Sequence, residues 1–420
     1  MHAETANPYQ SGLFRHSIVL LFAAQIASVS NLLFQLVMMR SLTAVEYGVL
    51  ATMLSLVQIF GKPMESLRTT VAHQAGLLKR SSRTGAVRHL LRRWAVYLSF
   101  LSLGLLLAGG LGSEVIAAHF QLSSPAPVLA AVLVIAGLPF MLMCVGLLQG
   151  LQAFVWMGAV YQGWGVVRLL VGVAIVYLFA RTAVAGLSAH ALGVGISVAF
   201  GVLALNSLLK KEPESSGPDM DYNSMYYCFM SMMILAGYAV LTYADVMLVK
   251  RYFTPEEAGV YAKAATIGRT IIFITVPVAM ALFPKVVSTG MTTANDRRLL
   301  VRALALAGAL VAVTALAVSV GARFLWLVFT GEEPDGETVS LMRMVVWAMS
   351  PLGVTLLMVN FNLAQRRFHM AAPILCLAAA YILGVSIWHD TLVQVVRVLA
   401  SVSVASLLAM LAGMGRTFRA

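Results

Sequence analysis

The sequence predicts an all-α, polytopic membrane protein with about twelve transmembrane helices. Of the 420 residues, 60% are hydrophobic and only 11% are charged, whereas soluble domains carry about 25% charged residues. Apolar stretches of about 18 or more residues recur along the chain, and each is long enough to cross roughly 30 Å of hydrocarbon as a helix. The alternating pattern of a membrane β-barrel is absent, and no polar stretch is long enough to form a soluble domain.

Twelve apolar spans can be placed along the chain. They cover residues 17–39, 44–68, 94–118, 127–150, 158–180, 184–209, 223–249, 257–283, 300–329, 339–363, 371–388 and 391–414. The first span is too long for a cleaved signal peptide and is interpreted as a permanent helix. A linker-like segment, Lys210 to Tyr222, lies at the midpoint. The sequence therefore predicts an N-terminal six-helix lobe, residues 1–210, and a C-terminal six-helix lobe, residues 211–420.

The basic residues predict how the chain is oriented in the membrane. The net charge is +12, but it is spread over short loops between spans, which is the positive-inside pattern rather than a nucleic-acid-binding surface. The loops and ends predicted to be cytoplasmic hold most of these residues: Arg15, Lys79, Arg80, Arg83, Arg88, Arg92, Arg93, Lys210, Lys211, Lys285, Arg297, Arg298, Arg302, Arg366, Arg367, Arg416 and Arg419. We therefore expect cytoplasmic N- and C-termini and no nucleic-acid partner.

The cysteines give no sign of a metal or redox site. Cys144, Cys228 and Cys376 all fall in apolar spans, and no metal-binding or redox spacing links them. They are interpreted as buried small hydrophobic residues. No metal and no cofactor are expected.

A short motif is repeated near the start of each predicted lobe. Val37–Ala51 reads VMMRSLTAVEYGVLA, and Leu248–Ala262 reads LVKRYFTPEEAGVYA, at an offset of 211 residues without a gap. The identical pairs are Arg40/Arg251, Thr43/Thr254, Glu46/Glu257, Gly48/Gly259, Val49/Val260 and Ala51/Ala262. Each threonine can cap the following helix, with the glutamate as its capping-box partner. A chance recurrence of a helix-start signature is the alternative, but the matching basic loops favour two parallel repeats.

The turn Arg40–Gly48 reads Arg-x-Leu-x-x-x-Glu-Tyr-Gly, which resembles the Wzx-like polysaccharide flippases of the multidrug/oligosaccharidyl-lipid/polysaccharide (MOP) exporter superfamily. The stretch Gly146–Phe154 leading to Arg168, and Ala281–Lys285, are similar to that family as well. The second copy of the turn lacks the tyrosine before glycine, which weakens any role for Tyr47.

This resemblance implies a MATE-like fold in which two pseudo-symmetric lobes surround a central cavity, and a non-enzymatic function. The expected activity is alternating-access transport of polyprenyl-diphosphate-linked oligosaccharide (O-antigen, capsule or exopolysaccharide units) across the bacterial inner membrane. Membrane lipids and other membrane proteins of polysaccharide assembly are the expected partners.

Polar residues inside spans are candidate functional residues, because an intramembrane charge costs several kcal/mol unless it is paired or hydrated. The second span carries a polar stripe at the three-to-four-residue spacing of one helix face. Its members are Ser55, Gln58, Lys62, Glu65, Thr69 and His73. The stripe predicts contact with a water-filled cavity. The alternative is a local ladder of salt bridges formed by Lys62, Glu65 and Arg68.

Other spans present comparable polar faces. Asn31 of the first span aligns with Thr242 of the seventh at the repeat offset, and Arg269 of the eighth aligns with Gln58. Arg168 lies near the middle of the fifth span. It is a candidate for binding phosphate or stacking on an aromatic ring, with a structural ion pair as an equal alternative.

These residues fall into two predicted groups. Lys62, Arg269 and Arg168 would offset the phosphate charges of the substrate, and contacts to its sugars are predicted for Gln58, Asn31, Tyr238 and Thr242. The candidates for coupling an ion or a proton to transport are Asp245, Glu65 and His73. For Asp245, a simple position at the membrane interface is an alternative.

Two other functions compete with the flippase. A multidrug or organic-cation antiporter of the same superfamily should have an acidic cavity, whereas the candidate residues here are more basic than acidic. A membrane polysaccharide polymerase or ligase should have a large external loop, and the longest predicted here is about nine residues. The chain contains no Gly-rich ATP-binding loop and no catalytic-triad signature, so no enzyme activity is predicted.

Overall fold

A computed structural model describes residues 8–210, 212–213, 222–275, 278 and 294–417, and every regular element among them is helical. For residues 8–23, 222, 294–297 and 414–417, only the backbone is described. Most of the linker Lys210–Tyr222 and the stretch Ala281–Lys285 therefore lie outside the described residues.

Fifteen α-helices are described in this part of the chain. They are α1 Pro8–Ser41, α2 Ala44–Arg80, α3 Val87–Leu111, α4 Ser113–His119, α5 Ala126–Gly150, α6 Phe154–Leu178, α7 Ala183–Leu209, α8 Tyr222–Tyr252, α9 Pro255–Gly268, α10 Thr270–Phe273, α11 Ala294–Val320, α12 Ala322–Thr330, α13 Gly336–Ala364, α14 Ala371–Ile387 and α15 Leu392–Thr417. Short 3₁₀ turns at Thr84–Ala86 and Phe368–Met370 precede α3 and α14.

Ten helices in the described part of the chain are long and apolar enough to cross a membrane. They overlap ten of the predicted spans, and the predicted first span lies within α1. The predicted third and ninth spans, 94–118 and 300–329, are too long at their ends, because α3 ends at Leu111 before α4 and α11 ends at Val320 before α12. The prediction of a polytopic, all-helical membrane protein is confirmed.

The predicted eighth span, residues 257–283, is wrong as one continuous helix. The helix ends at Gly268, Arg269 follows as its C-cap, and the short helix α10 begins at Thr270. Glycine is a poor helix former, and Gly268 is needed here because a Cβ would lie 3.1 Å from Cγ1 of Val345. The sequence then continues with several β-branched residues and Pro277, none of which favours an uninterrupted helix.

The described chain divides into two compact units. Unit 1 comprises residues 1–38, 64–113 and 126–228. In it α7 packs against α5 and α6, and α3 packs against α5. Unit 2 comprises residues 39–63, 114–125 and 229–420, with α13 packed against α9, α11 and α15. Helix α2 contributes its first part to unit 2 and its second part to unit 1, with the division at Pro63.

Close helix packing in unit 1 depends on two glycines of α5. A Cβ at Gly146 would lie 2.6 Å from the carbonyl oxygen of Arg68, and one at Gly150 would lie 2.5 Å from that of Ala72. The Gly-x-x-x-Gly pattern therefore lets α5 and α2 approach each other, as small residues do between membrane helices. The likeness of this stretch to the flippase family thus coincides with a packing role.

The interpretation of the cysteines is correct for two of the three. Cys144 and Cys228 are buried, whereas Cys376 is exposed on α14. An apolar side chain on a membrane helix can face lipid as readily as the protein interior, so the hydrophobicity of the span did not distinguish the two positions.

Candidate functional site

The repeated motif forms the first turns of α2 and α9. Thr254 and Glu257 make a complete capping box at the start of α9. At the start of α2, the hydroxyl of Thr43 accepts a hydrogen bond of 3.2 Å from the Glu46 amide. The predicted helix-start role of the motif is therefore confirmed in both copies.

The conserved spacing also places the two motif glycines against each other within unit 2. A Cβ on Gly48 would lie 3.1 Å from the Cα of Gly259. A Cβ on Gly259 would collide with the carbonyl oxygen of Ala44. The first turns of α2 and α9 thus meet backbone to backbone, and no side chain fits between them.

The tyrosine that occurs only in the first copy of the motif, Tyr47, lies beside the contact between α2 and α9. Tyr47 is 1% exposed, and its hydroxyl donates a 3.0 Å hydrogen bond to Oγ1 of Thr266 on α9. The equivalent residue of the second copy is Ala258, which is also buried. The missing tyrosine in the second copy is therefore an asymmetry of packing between two helix starts.

The two motif arginines make reciprocal contacts. Arg40 donates from Nε (3.0 Å) and Nη2 (2.7 Å) to the carbonyl oxygen of Val328 in the last turn of α12. Arg251 donates to the imidazole of His119, at the end of α4, at 2.9 Å from Nε2, and its own carbonyl accepts a 2.8 Å bond from Gln121. Helix ends carry unsatisfied carbonyls, and at the repeat offset α12 corresponds to α4.

We call this group the repeat clasp: Arg40, Gly48, His119, Arg251, Gly259 and Val328. All of its members belong to unit 2. Desolvation and the Arg251 guanidinium lower the pKa of His119, which favours the neutral imidazole as the acceptor of this hydrogen bond. The clasp joins residues from the two halves of the sequence at the ends of helices.

Asp245 and Arg269, for which the sequence predicted separate roles, form an ion pair within unit 2. The Asp245 carboxylate is fully buried and contacts Nη2 of Arg269, and it accepts a 3.3 Å hydrogen bond from the hydroxyl of Tyr261. Nε of Arg269 donates to the carbonyl oxygen of Thr242 at 3.0 Å. The Asp245 side chain has no exposure, so its carboxylate is enclosed by these partners within unit 2.

Tyr238 and Thr242 lie in the interior of unit 2. The Tyr238 hydroxyl donates to the carbonyl oxygen of Leu352 at 3.0 Å, and its ring belongs to an apolar cluster with Met358 and Ile374. The Thr242 hydroxyl donates to the Tyr238 carbonyl at 2.8 Å. Both hydroxyls are therefore used inside the fold, and the predicted sugar contacts would require them to leave these partners.

The polar stripe of α2 changes from buried to exposed along the helix. Ser55 is buried, Gln58 and Lys62 are half-buried, and His73 is exposed. Lys62 makes no ion pair with the described residues, so it is not part of a salt-bridge ladder.

Glu65 on the same stripe pairs with Arg68 at 2.9 Å, as the local alternative predicted. The hydroxyl of Tyr161 donates to the other carboxylate oxygen of Glu65 at 3.0 Å. Nη1 of Arg68 also donates to Gln149 at 2.7 Å. The negative charge of Glu65 is therefore matched within unit 1.

Arg168 lies buried in unit 1, where its Nη2 donates to Oδ1 of Asn31 at 2.5 Å. Its guanidinium carbon lies 4.1 Å from the centre of the Phe34 ring and 4.8 Å from that of Trp164. The predicted stacking on an aromatic ring is confirmed. The alternative of a structural ion pair is wrong for the described residues, since no carboxylate among them contacts Arg168.

The helix order and the apolar spans define a multi-pass, all-helical membrane protein, and its fold is similar to that of MATE-like transporters. No protein-family model and no curated protein matches the chain. An inward-facing multidrug resistance MATE family transporter of the MOP superfamily aligns with a TM-score of 0.73 at 13% identity, covering 95% of this chain and 97% of that one.

Two further solved structures support the same fold. The lipid II flippase MurJ, in an inward closed conformation, aligns with a TM-score of 0.71 at 10% identity, covering 95% of this chain and 87% of that one. The eukaryotic MATE transporter AtDTX14 aligns with a TM-score of 0.60 at 13% identity, and the alignment covers 95% of both chains. At these identities the likeness shows the fold.

Several partners of the candidate residues were not predicted. Tyr261 binds Asp245, Gln149 binds Arg68, and His190 lies against Arg168. Each is a common residue within or beside an apolar span, so only its contact distinguishes it. The clasp could have been suspected from the motif, because both copies have glycine at the same position, and such a glycine indicates a close approach of the backbone.

Proposed function

We propose that this chain is a flippase that moves polyprenyl-diphosphate-linked oligosaccharide across the bacterial inner membrane by alternating access. The fold supports a membrane transporter, and one neighbour in the fold comparison is named a lipid II flippase. The observation that carries the proposal is the charge balance inside the spans. It favours an anionic substrate over the cationic one of a multidrug antiporter.

Acidic residues within the predicted spans are few: Glu46, Glu65, Glu114, Asp245 and Glu257. Glu46, Glu114 and Glu257 lie in the first turns of their helices, whereas Glu65 and Asp245 lie inside α2 and α8, and each of these two is bound by an arginine. Arg168 and Lys62 have no such partner among the described residues. An organic cation would therefore meet no free carboxylate at Glu65 or Asp245, whereas a phosphate of an anionic lipid could pair with Lys62 or with Arg168.

The roles of the candidate residues follow from this balance. Lys62 of unit 2, one helical turn from Gln58, and Arg168 of unit 1, bound to Asn31, are each proposed to offset phosphate charge of the substrate. Arg269 is given a structural role, because its charge is satisfied by Asp245. Coupling of an ion or a proton through Asp245, Glu65 or His73 stays a prediction.

The repeat clasp supports alternating access. It joins helix ends that the charge pattern predicts to lie on the outer, non-cytoplasmic side of the membrane. It also connects the first half of the chain with the second. We propose that the clasp closes the outer side in one state and separates in the other. A backbone-to-backbone contact suits this purpose, because it can seal against water without burying additional polar side chains.

A deletion strain tests the function directly. We expect loss of surface glycan and accumulation of lipid-linked repeat units on the cytoplasmic leaflet, both restored by the wild-type chain. Leaflet location is measured by the accessibility of the glycan to a membrane-impermeant glycosidase in sealed vesicles. Normal surface glycan together with new sensitivity to cationic drugs would contradict the proposal and indicate the multidrug antiporter.

The substitution Lys62→Gln tests the cationic residue on α2. A charge-assisted hydrogen bond contributes about 1.5–3 kcal/mol, so we expect export to fall by about tenfold or more, with Lys62→Arg retaining most of it. Surface glycan per unit of membrane-inserted protein is the measurement. Unchanged export by a Lys62→Gln/Arg168→Gln double variant would refute the role of the two cations.

A further inference from the structure

Four cationic side chains are buried among the described residues, and Arg168 differs from the other three. Arg269 pairs with Asp245, and Lys263 donates to Glu332 at 3.3 Å. Lys250 lies within the electrostatic influence of Glu256 and Glu46. Arg168 is 5% exposed and has no acidic partner among the described residues.

An isolated charge in such a position is costly. An unpaired ion inside the membrane costs several kcal/mol, and removing it from water is repaid only by an opposite charge with good hydrogen bonds. Asn31 and two aromatic rings contribute partial compensation. The Nε atom of Arg168 has no hydrogen-bond partner among the described atoms, so at least one donor is left unused.

Two polar side chains, Asn31 and His190, contact the guanidinium of Arg168. The carboxamide oxygen of Asn31 accepts from Nη2 of Arg168 at 2.5 Å, which leaves the Asn31 amide N–H groups without a described partner. On the other side, Nη1 of Arg168 lies 3.4 Å from Nδ1 of His190. The His190 ring is stacked on Trp164, with 4.8 Å between the ring centres.

Three helices hold these side chains together at regular spacings. α1 presents Asn31 and Phe34, α6 presents Trp164 and Arg168, and α7 presents His190, so each pair is separated by three or four residues on one face. Two glycines keep the helices close. A Cβ at Gly193 of α7 would lie 2.9 Å from the Trp164 carbonyl oxygen, and one at Gly165 would lie 3.4 Å from Oδ1 of Asn31.

We propose that this cluster of Arg168, Asn31 and His190, all within unit 1, binds a single phosphoryl group. The unused Nε–H of Arg168 and the amide of Asn31 donate to its oxygens, and the anion supplies the charge that the fold lacks. A guanidinium held against two rings is already oriented, so little entropy is lost on binding. The inference rests on the proposed function, because the phosphoryl group is taken to be that of the lipid-linked substrate.

The test measures phosphate binding by the purified full-length chain in phosphatidylcholine nanodiscs. Two probes distinguish the source: a short-chain polyprenyl phosphate for a lipid headgroup, and inorganic phosphate for a free ion. Saturable binding is followed by calorimetry and by the rise in thermal stability that a ligand of the folded state produces. We expect at least a tenfold loss of affinity in Arg168→Gln, a smaller loss in Arg168→Lys, and none in the exposed control Arg343→Gln.

The variant Asn31→Asp gives a second, independent readout. It places a carboxylate against Arg168, so we expect higher thermal stability without ligand together with loss of phosphate binding. If Arg168 served only in packing, the Asn31→Asp substitution would not change the affinity for phosphate. Saturation by the polyprenyl phosphate alone assigns the site to a lipid, and saturation by inorganic phosphate assigns it to the free ion as well.

Failure of this inference and failure of the flippase proposal give different results. If wild type binds neither probe, or if Arg168→Gln and Asn31→Asp bind as wild type does, the site is refuted. Normal glycan export by such variants would leave the flippase intact. If phosphate binding depends on Arg168 but the chain is not needed for glycan export, the phosphate site is supported and the flippase proposal is refuted.

Discussion

Replacement of Gly259 by valine will abolish export and open the buried start of α9 to reagents from outside. The first turns of α2 and α9 meet backbone to backbone, so a side chain at position 259 must displace the backbone of Ala44. Backbone shifts of this kind are not absorbed by rotamer changes. The clasp therefore cannot close, and a transporter held in one state does not complete its cycle.

Labelling of a single cysteine measures the opening of the clasp. Ala262 is fully buried in the described structure, so Ala262→Cys in a chain without its native cysteines should resist a membrane-impermeant maleimide more strongly than the same chain carrying Gly259→Val. The matched control is Gly308→Val, since a Cβ at Gly308 meets nothing within 4 Å. Normal export by Gly259→Val, or equal labelling of both chains, would show that the clasp does not gate transport.

Removal of either partner of the Asp245–Arg269 pair will strongly destabilise the chain, whereas removal of both will not. Breaking a buried ion pair typically costs about 3–5 kcal/mol, because it leaves an uncompensated charge. We therefore expect a much lower thermal unfolding temperature for Asp245→Asn and for Arg269→Met in detergent. The double variant Asp245→Leu/Arg269→Met should recover most of the loss, since similar apolar volume replaces both charges.

The control for this pair is Glu332→Gln, whose carboxylate is 66% exposed beside Lys263. Exposed ion pairs contribute about 0–1 kcal/mol, so its unfolding temperature should change little. If the double variant were no more stable than the two single variants, the two charges would be acting independently. Glycan export by a folded Asp245→Leu/Arg269→Met chain would further show that Asp245 couples no ion to transport.

Local features of the chain could be predicted from sequence. The pairing of Glu65 with Arg68 requires only a spacing of three residues on a helix, and the Thr254–Glu257 capping box is likewise encoded within one turn. The membrane helices followed from apolar length alone. The break after Gly268 was missed because the hydrophobicity of that segment continues beyond the glycine, and hydrophobicity says little about helix continuity.

Long-range partners could not be predicted in this way. The sequence indicated that Asn31 and Arg168 lie on polar helix faces, but these residues are 137 positions apart and only the packing of three helices brings them together. The same packing pairs Arg269 with Asp245 and gives Arg168 no acidic partner within the described part of the chain. A helical pattern gives the direction of a side chain relative to its own helix, and the neighbour is set by the other helices.

The sequence by itself determined that the protein is helical, crosses the membrane many times and carries two copies of one helix-start motif. Only the tertiary structure decided that Gly48 and Gly259 of these copies touch, and that Arg40 and Arg251 reach reciprocally to α12 and α4. The physical reason is that apolar side chains are equally tolerated by lipid and by the protein interior. Hydrophobicity therefore identifies a membrane helix, while close contacts and buried charges identify its partners.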